Sequence, residues 1–425
     1  MTLLAEGLDH RQRRTAQAVA ADLSEALAMP PPAELGDDRG PSSPRWRGQS
    51  LSKGAAGVAV LHGMRGQGEP GGERVHAWLA CAAREDLSAG PGAGLWFGAP
   101  AVAFAMSTAA PGQYPRAMKS LDAAIVTLVR ARLEVALARL AAAIRPSLSE
   151  FDLVRGLTGL GAYLLRRDPH GELVRRVLTY LVRLTQPVPA DDHAGLSAPG
   201  WWTSDVPSGQ PADAFRGGHA DLGMAHGIAG PLALLALAMK QGITVDGHAG
   251  AIEGICHWLN TWCHEAATGP WWPERVSLAE LRTGRSVHPG PTRPSWCYGT
   301  PGLARAQQLA GQALGDPVCQ QRAEYALARC LSDPAQLARI TDPALCHGWA
   351  GLIATAWCAA ADARCPEIGA HLPRLIDTLL EYVQADDSSP SRGPGLIEGS
   401  AGVALTLQSV TTPTDPRWLT CLLLN

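Results

Sequence analysis

One pattern of glycine and hydrophobic positions recurs seven times along the chain. Each copy opens on a G-x-x-G step and continues as an apolar run rich in small residues. The first glycines of the copies are Gly54, Gly98, Gly156, Gly227, Gly299, Gly348 and Gly399. The second copy departs from the step, because Ala101 stands where its second glycine is expected. Self-similarity of this kind indicates an array built from one supersecondary unit.

Amphipathic segments separate the glycine steps. Their apolar residues recur every three or four positions, as do Leu173, Val177 and Leu181, and this period places them on one face of an α-helix. The segments are Arg11–Leu27, Glu73–Arg84, Ala117–Ile144, Glu172–Thr185, His248–Glu265, Cys319–Leu331 and Ile368–Val383. The pattern therefore predicts seven helical hairpins, each with an outer helix, a glycine turn and an apolar inner helix.

Such hairpins cannot bury their apolar faces alone and must stack on their neighbours. An open solenoid would leave one face of the inner helices in water, so the sequence favours a closed, all-α barrel. Glycine turns would then leave the N–H groups of helix starts near one end of it. We expect one domain over residues 1–425, with irregular loops at about 30–50, 187–221 and 269–294. The last two loops lead into the fourth and fifth glycine turns, and long ordered loops are usually functional.

Composition and charge exclude several classes of protein. The 36 Lys+Arg and 39 Asp+Glu residues are interspersed and give a net charge of −3, which offers no basic field for nucleic acid. The N-terminus lacks the pattern of a signal peptide, and no uncharged apolar run reaches the ~18 residues of a membrane span. With ten cysteines spread thinly, we predict a cytoplasmic protein whose paired Cys and His residues are metal ligands or catalytic groups.

The fifth and sixth glycine turns carry the most reactive side chains. The fifth reads T-R-P-S-W-C-Y-G-T-P-G and contains Cys297; the sixth reads L-C-H-G-W-A-G-L and contains Cys346 and His347. Two cysteines and a histidine are the protein ligands of some catalytic zinc sites, which keep the fourth position open. The alternative is that both cysteines are small buried hydrophobic residues. Their equal offset from the glycines favours the metal site.

These motifs resemble those of the lanthionine synthetase C family, the lanthipeptide cyclases. The resemblance rests on G-M-A-H-G-I-x-G, R-P-S-W-C-Y-G-x-P-G and C-H-G-x-x-G. These motifs follow one another along the chain in the family's order, and the resemblance extends through all seven repeats. It implies an α/α toroid of seven helical hairpins around a zinc site at one end. It also implies that Cys297, Cys346 and His347 are the Zn²⁺ ligands.

The resemblance assigns catalytic roles to four further residues. His226 matches the family's catalytic histidine, and Asp152 lies at the position of a functional aspartate. Arg293 and Tyr298 match as well. Without the family, these residues would be a structural histidine, a helix N-cap, a surface charge and a packed aromatic. We expect His226 to handle a proton, with Asp152 holding the histidine or taking the thiol proton. Arg293 would steady the enolate oxygen or the substrate backbone, and Tyr298 would support the zinc ligands.

The implied reaction is addition of cysteine thiolates to dehydroalanine or dehydrobutyrine within a dehydrated, leader-bearing precursor peptide, which forms thioether rings. A separate dehydratase and a transporter are the other implied partners, and the chain is expected to be a stand-alone cyclase. Three alternatives remain: a relative that adds glutathione to dehydrated residues, a zinc-stabilised toroid that only binds peptide, and a structural solenoid.

A second cluster, I-C-H-W-L-N-T-W-C-H at residues 255–264, places two cysteines and two histidines near one side of a helix. A single helix cannot wrap four ligands tetrahedrally around a metal. We therefore expect this cluster to serve helix packing.

Overall fold

A computed structural model describes residues 7–31, 48–64, 71–190, 196–207, 211, 215–385, 393–413 and 415–425. Most of the first predicted loop, residues 32–47, lies outside this description. Of the described helices, none combines the length with the apolar character that a membrane span requires.

Helices make up most of the described chain. In order they are α1 His10–Ala26, α2 Ala55–Gly63, α3 Gly71–Ala82, α4 Ala99–Ala109, α5 Pro115–Ala141, α6 Leu148–Phe151, α7 Leu157–Arg167, α8 Glu172–Leu184, α9 Ala229–Lys240, α10 His248–Thr261, α11 Leu278–Thr283, α12 Thr300–Leu314, α13 Pro317–Ser332, α14 Pro334–Leu337, α15 Trp349–Asp362, α16 Glu367–Ala370, α17 Leu372–Ala385 and α18 Ser400–Thr411. A 3-10 helix, Pro416–Leu422, follows.

The hairpin order predicted from the repeats is confirmed by these elements. All seven glycine steps lead into a helix, namely α2, α4, α7, α9, α12, α15 and α18, and each predicted outer segment is helical. One segment differs, since the predicted helix Ile368–Val383 is interrupted at His371 between α16 and α17. The inner helices are buried on nearly every side; in α9, for instance, every residue from Ala229 to Ala238 is buried. All-round burial explains why a helix such as α9 is apolar on nearly every face.

The helices form two compact units. The first comprises the described parts of residues 1–125, 342–357 and 369–418. In it α1 packs against α17 and α18, while α2 packs against α3, α4 and α18. Gln12 donates to Asp377 Oδ2 at 2.7 Å, which joins α1 to α17. The first and the last α-helix of the chain are therefore neighbours.

The second unit comprises the described parts of residues 126–341, 358–368 and 419–425. Here α9 packs against α7, α10 and α12, and α12 packs against α13. Buried Arg305 on α12 donates to the carbonyl of Leu424 at 3.0 Å and to Asp362 Oδ2 at 2.8 Å, and so fixes the C-terminal residues. That a single domain spans the whole chain stays a prediction.

The two predicted loops that precede the fourth and fifth turns contain regular structure. Strand β1, Val188–Pro189, pairs with β2, Ser197–Ala198. Strand β3, His219–Asp221, pairs antiparallel with β4, Arg275–Ser277, and β4 runs directly into α11. The second pairing sets Asp221 opposite Arg275, which matters for the site below.

Glycine is required at the start of α12 for two separate reasons. Gly299 has a φ of +95°, in the left-handed region that other residues rarely adopt. A Cβ on Gly302 would lie 2.1 Å from the carbonyl oxygen of Trp296, so only glycine lets the helix approach the segment before it. These constraints fold residues 295–302 into a tight turn that presents Cys297 and Tyr298.

Candidate active site

The fourth and sixth glycine turns have the same backbone design. Each begins with an aspartate five residues before its histidine: Asp221 before His226, and Asp342 before His347. The aspartate side chain accepts the N–H two residues further on, at 3.0 and 2.9 Å. Its carbonyl accepts the N–H seven residues further on, at 3.0 and 3.1 Å. The short sequence between aspartate and glycine thus sets the position of each histidine.

Three side chains form a possible metal-binding group. Cys297, Cys346 and His347 each offer one ligand atom, and these atoms all lie within 4.8 Å of one another. Cys297 is buried, and the other two are half-buried. His347 Nε2 lies 3.5 Å from Asp342 Oδ2, an ion-pair distance that orients the imidazole. Two thiols and an imidazole suit zinc by donor chemistry and leave a fourth position for a ligand from outside.

Asp152 and His226 form a hydrogen-bonded pair in which the aspartate is buried and the histidine half-buried. His226 Nδ1 donates to Asp152 Oδ2 at 2.7 Å, across 74 residues of sequence. The other carboxylate oxygen, Oδ1, accepts the N–H groups of Arg155 at 2.6 Å and Gly156 at 2.8 Å. The aspartate side chain has no exposed surface, whereas the histidine is 32% exposed. The carboxylate has no direct contact with solvent, and exposed Arg155, with its Nε 3.9 Å from Oδ2, is a second charged neighbour.

The charges around His226 favour its protonated form. Burial lowers the pKa of His226, but the hydrogen bond and charge of Asp152, with the charge of Asp221, outweigh burial and raise it above its ordinary value. Arg155 opposes this rise. An imidazole with a raised pKa and one edge exposed can deliver a proton at neutral pH.

Asp221 connects the fourth turn to the fifth. It is fully buried, and its Oδ2 accepts the Tyr298 hydroxyl at 3.0 Å and Arg275 Nε at 3.2 Å. The Arg275 guanidinium lies 5.1 Å from the centroid of the Tyr298 ring. The His226 and Tyr298 ring centroids are 6.4 Å apart. Tyr298, the residue after Cys297, thus lies beside His226.

Backbone hydrogen bonds join the third, fourth and fifth turns. The carbonyl of Cys297 accepts the N–H groups of Met224 at 2.9 Å and Ala225 at 3.4 Å, and the carbonyl of Ala225 accepts the N–H of Leu153 at 3.2 Å. Asp152, His226 and Tyr298 are therefore held by one continuous backbone network, which fixes their relative positions.

Arg293 is half-buried and precedes Cys297 by four residues. Its Nε atom is buried, with no hydrogen-bond partner among the described residues. An unpaired buried donor on a guanidinium is costly unless a ligand supplies an acceptor. Among the described residues, this donor is left without an acceptor.

The cluster at residues 255–264 does not form a comparable group. Cys297, Cys346 and His347 are the set of three or more potential ligands found within the described part of the chain. His264 instead stacks on Trp271, with ring centroids 4.2 Å apart. Cys256 is buried on α10. These contacts are consistent with the predicted packing role.

Sequence reasoning missed Asp221 and Arg275. A signal for Asp221 was present, because Asp221 and Asp342 occupy the same place in their repeats, six residues before the first glycine. Arg275 has no such signal. It reaches the site because β3 pairs with β4, and strands of three residues are too short to leave a periodic pattern.

Residues 45–423 match the protein family described as lanthionine synthetase C-like protein. The chain belongs to the lanthionine synthetase C-like family. This finding confirms the resemblance drawn from the three motifs. The match includes all seven glycine steps.

Two known proteins are similar to the chain. The nisin biosynthesis protein NisC of Lactococcus lactis subsp. lactis is 24% identical over 272 residues, which are 61% of this chain and 60% of that relative. The aligned part thus spans about 60% of that relative's length. A solved structure of nisin cyclase is similar over 98% of both chains, with a TM-score of 0.74 and 20% identity. At that identity the likeness shows the fold, and it confirms the predicted all-α toroid class.

Proposed function

We propose that this lanthionine synthetase C-like chain is a zinc-dependent lanthipeptide cyclase, acting on a dehydrated, leader-bearing precursor peptide. The observation that carries the proposal is the convergence of Cys297, Cys346 and His347 in a chain of this family. The resemblance to NisC, a nisin biosynthesis protein, supports a peptide substrate of this chemistry. A separate dehydratase and a transporter would be its partners, and the cytoplasm its compartment.

The three ligands would hold one zinc ion. When bound, zinc makes a coordinated thiol a thiolate at neutral pH, whereas a thiol with an ordinary pKa near 8.5 stays mostly protonated. The open fourth position would admit a cysteine of the peptide. Asp342, at 3.5 Å from His347 Nε2, would hold that imidazole in its ligating orientation.

The remaining residues would carry out the addition. The substrate thiolate forms a C–S bond to the β-carbon of a dehydroalanine or dehydrobutyrine, and the electron pair of the double bond moves into the carbonyl to give an enolate. Arg293, whose Nε donor is unpaired, stabilises the enolate oxygen. Protonated His226 then delivers a proton to the α-carbon, which completes the thioether; a positioned acid is typically worth about 10²–10⁴ in rate.

We assign the acid role to His226 and the orienting role to Asp152. Asp152 has no exposed surface, and both its oxygens are engaged by His226 and by two backbone N–H groups. A carboxylate in this position cannot meet the thiol. It keeps the Nδ1 proton in place and stabilises the imidazolium.

Zinc content and ring closure test the proposal together. We expect about one zinc per chain in the wild type and in Cys365→Ala, an exposed-cysteine control, and a loss of zinc in Cys346→Ala. Ring closure leaves the peptide mass unchanged, so closed rings are counted as cysteines that no longer react with N-ethylmaleimide. His226→Ala should retain zinc and lose ring closure, while the exposed-histidine control His76→Ala should retain both. Folded wild-type protein that holds no zinc, or holds zinc and closes no ring, would refute the proposal.

A further inference from the structure

Asp221 accepts three hydrogen bonds at this site, yet the proposed mechanism gives it no role. Its carboxylate is fully buried, and three donors converge on it: the N–H of Gly223 on Oδ1, and Arg275 Nε and the Tyr298 hydroxyl on Oδ2. A buried carboxylate is stable only when its charge is paired and its lone pairs are satisfied. Burial raises the pKa of Asp221, but the charge of Arg275, the N–H of Gly223 and the Tyr298 hydroxyl each favour the ionised carboxylate.

This arrangement fixes the direction of the Tyr298 hydroxyl. A tyrosine hydroxyl carries one proton, and here that proton is donated to Asp221. Arg275, which also interacts with the tyrosine side chain, has donors and no acceptor, so the hydroxyl cannot point its proton there. With its proton on Asp221, the Tyr298 oxygen has only acceptor capacity left, and Arg275 takes part of it.

We propose that Asp221, with Arg275, is a positioning residue that fixes the Tyr298 hydroxyl, so that Tyr298 meets the substrate as a hydrogen-bond acceptor and not as a proton donor. The inference rests on the proposed cyclase function and deepens it. The rings of His226 and Tyr298 lie 6.4 Å apart, and under this proposal His226 is the one that donates a proton.

A second consequence concerns the geometry of the turn. The same aspartate shapes the segment that carries His226, through its side-chain bond to the Gly223 N–H and its carbonyl bond from the Ile228 N–H. One residue therefore sets both the position of the histidine and the polarity of the tyrosine. Loss of the Asp221 charge disturbs the orientation of the Tyr298 hydroxyl more than the position of His226, because an amide oxygen can still accept the N–H of Gly223.

A double-mutant cycle tests whether Asp221 acts through Tyr298. In Asp221→Asn the amide oxygen stays on Gly223 N–H, so the amide NH₂ faces Tyr298 and Arg275, and the tyrosine must turn its proton away. We expect Asp221→Asn and Tyr298→Phe each to lower kcat for ring closure on the order of 10–100-fold, with KM changed less. The double variant should be about as slow as the slower single variant, since both changes remove the same interaction.

The matched control is Asp333→Asn, alone and with Tyr298→Phe. Asp333 is also a buried aspartate that accepts backbone N–H groups, but its bonds go to Ala335 and Gln336 at the start of α14. Its effect on the rate should be small and should multiply with that of Tyr298→Phe. Zinc content and thermal unfolding are measured for every variant. If Asp221→Asn does not fold, Arg275→Lys replaces it in the cycle, because that change removes the Nε donor that holds Oδ2 beside Tyr298.

The outcomes separate the inference from the proposed function. Rate effects of Asp221→Asn and Tyr298→Phe that multiply, in a wild type that closes rings, would overturn the inference and leave the function standing. Effects that do not multiply support the inference. A wild type that closes no ring refutes the proposed function, and the inference falls with it.

Discussion

Replacement of Asp152 by asparagine should test whether His226 acts as an acid, because the histidine stays while its hydrogen bond to a carboxylate is lost. The substitution keeps the shape of the side chain and removes its charge. Because Oδ1 already accepts the N–H groups of Arg155 and Gly156, the amide oxygen will stay there and the NH₂ will face His226 Nδ1. In the variant, His226 Nδ1 accepts a hydrogen bond from the amide. In the wild type, it donates one to the carboxylate at 2.7 Å.

The size and sign of the effect follow from the lost hydrogen bond. A hydrogen bond to a charged group contributes about 1.5–3 kcal/mol, which corresponds to about 10–100-fold in rate. Burial lowers the pKa of His226 and Asp152 is the leading cause that raises it, so removal of the carboxylate lowers that pKa. An acid is active below its pKa, and so the fall in rate on the alkaline side should begin at lower pH in the variant than in the wild type.

The assay is kcat for ring closure across pH, with closed rings counted by N-ethylmaleimide, for the wild type, Asp152→Asn and the control Asp333→Asn. We expect equal zinc content in all three and a displaced alkaline limb in Asp152→Asn alone. An Asp152→Asn profile that is lower at every pH but keeps the wild-type limb would refute the assignment of His226 as the acid. A rate unchanged at neutral pH would refute the role of the pair altogether.

Two further predictions concern binding and stability. Asp342→Asn should weaken zinc affinity about 10–100-fold, measured by competition with a chelating dye, because the amide no longer holds His347 by charge; affinity equal to that of the wild type would contradict this. Arg305→Ala should lower the free energy of unfolding by about 2–3 kcal/mol in urea, since it leaves the buried carbonyl of Leu424 without its donor, while half-buried Asp362 keeps Lys240 as a cation. Arg322→Ala, which breaks an exposed ion pair, should cost no more than about 1 kcal/mol, and equal losses in the two arginine variants would refute the argument from burial.

Local signals in the sequence indicated the helical hairpins and raised the metal group as a candidate, and the family resemblance supplied the closed toroid and the ligand assignment. Helical periodicity and glycine position are properties of short segments, so the hairpins from α1 to α18 could be predicted one at a time. The equal offset of Cys297 and Cys346 from their glycines then indicated that repeated turns bring their side chains to one place. Helix ends were less certain, and the break at His371 was not predicted.

The tertiary structure supplied the partners that no motif indicated. Asp221 and Tyr298 are 77 residues apart in sequence, and Asp221 and Arg275 are 54 apart. A periodic pattern records that a residue faces the core or a turn, but it does not record the partner that a buried carboxylate takes from another repeat. That partner depends on backbone bonds between turns, such as those to the Cys297 carbonyl, and on the pairing of β3 with β4, and both exist only once the repeats are packed together.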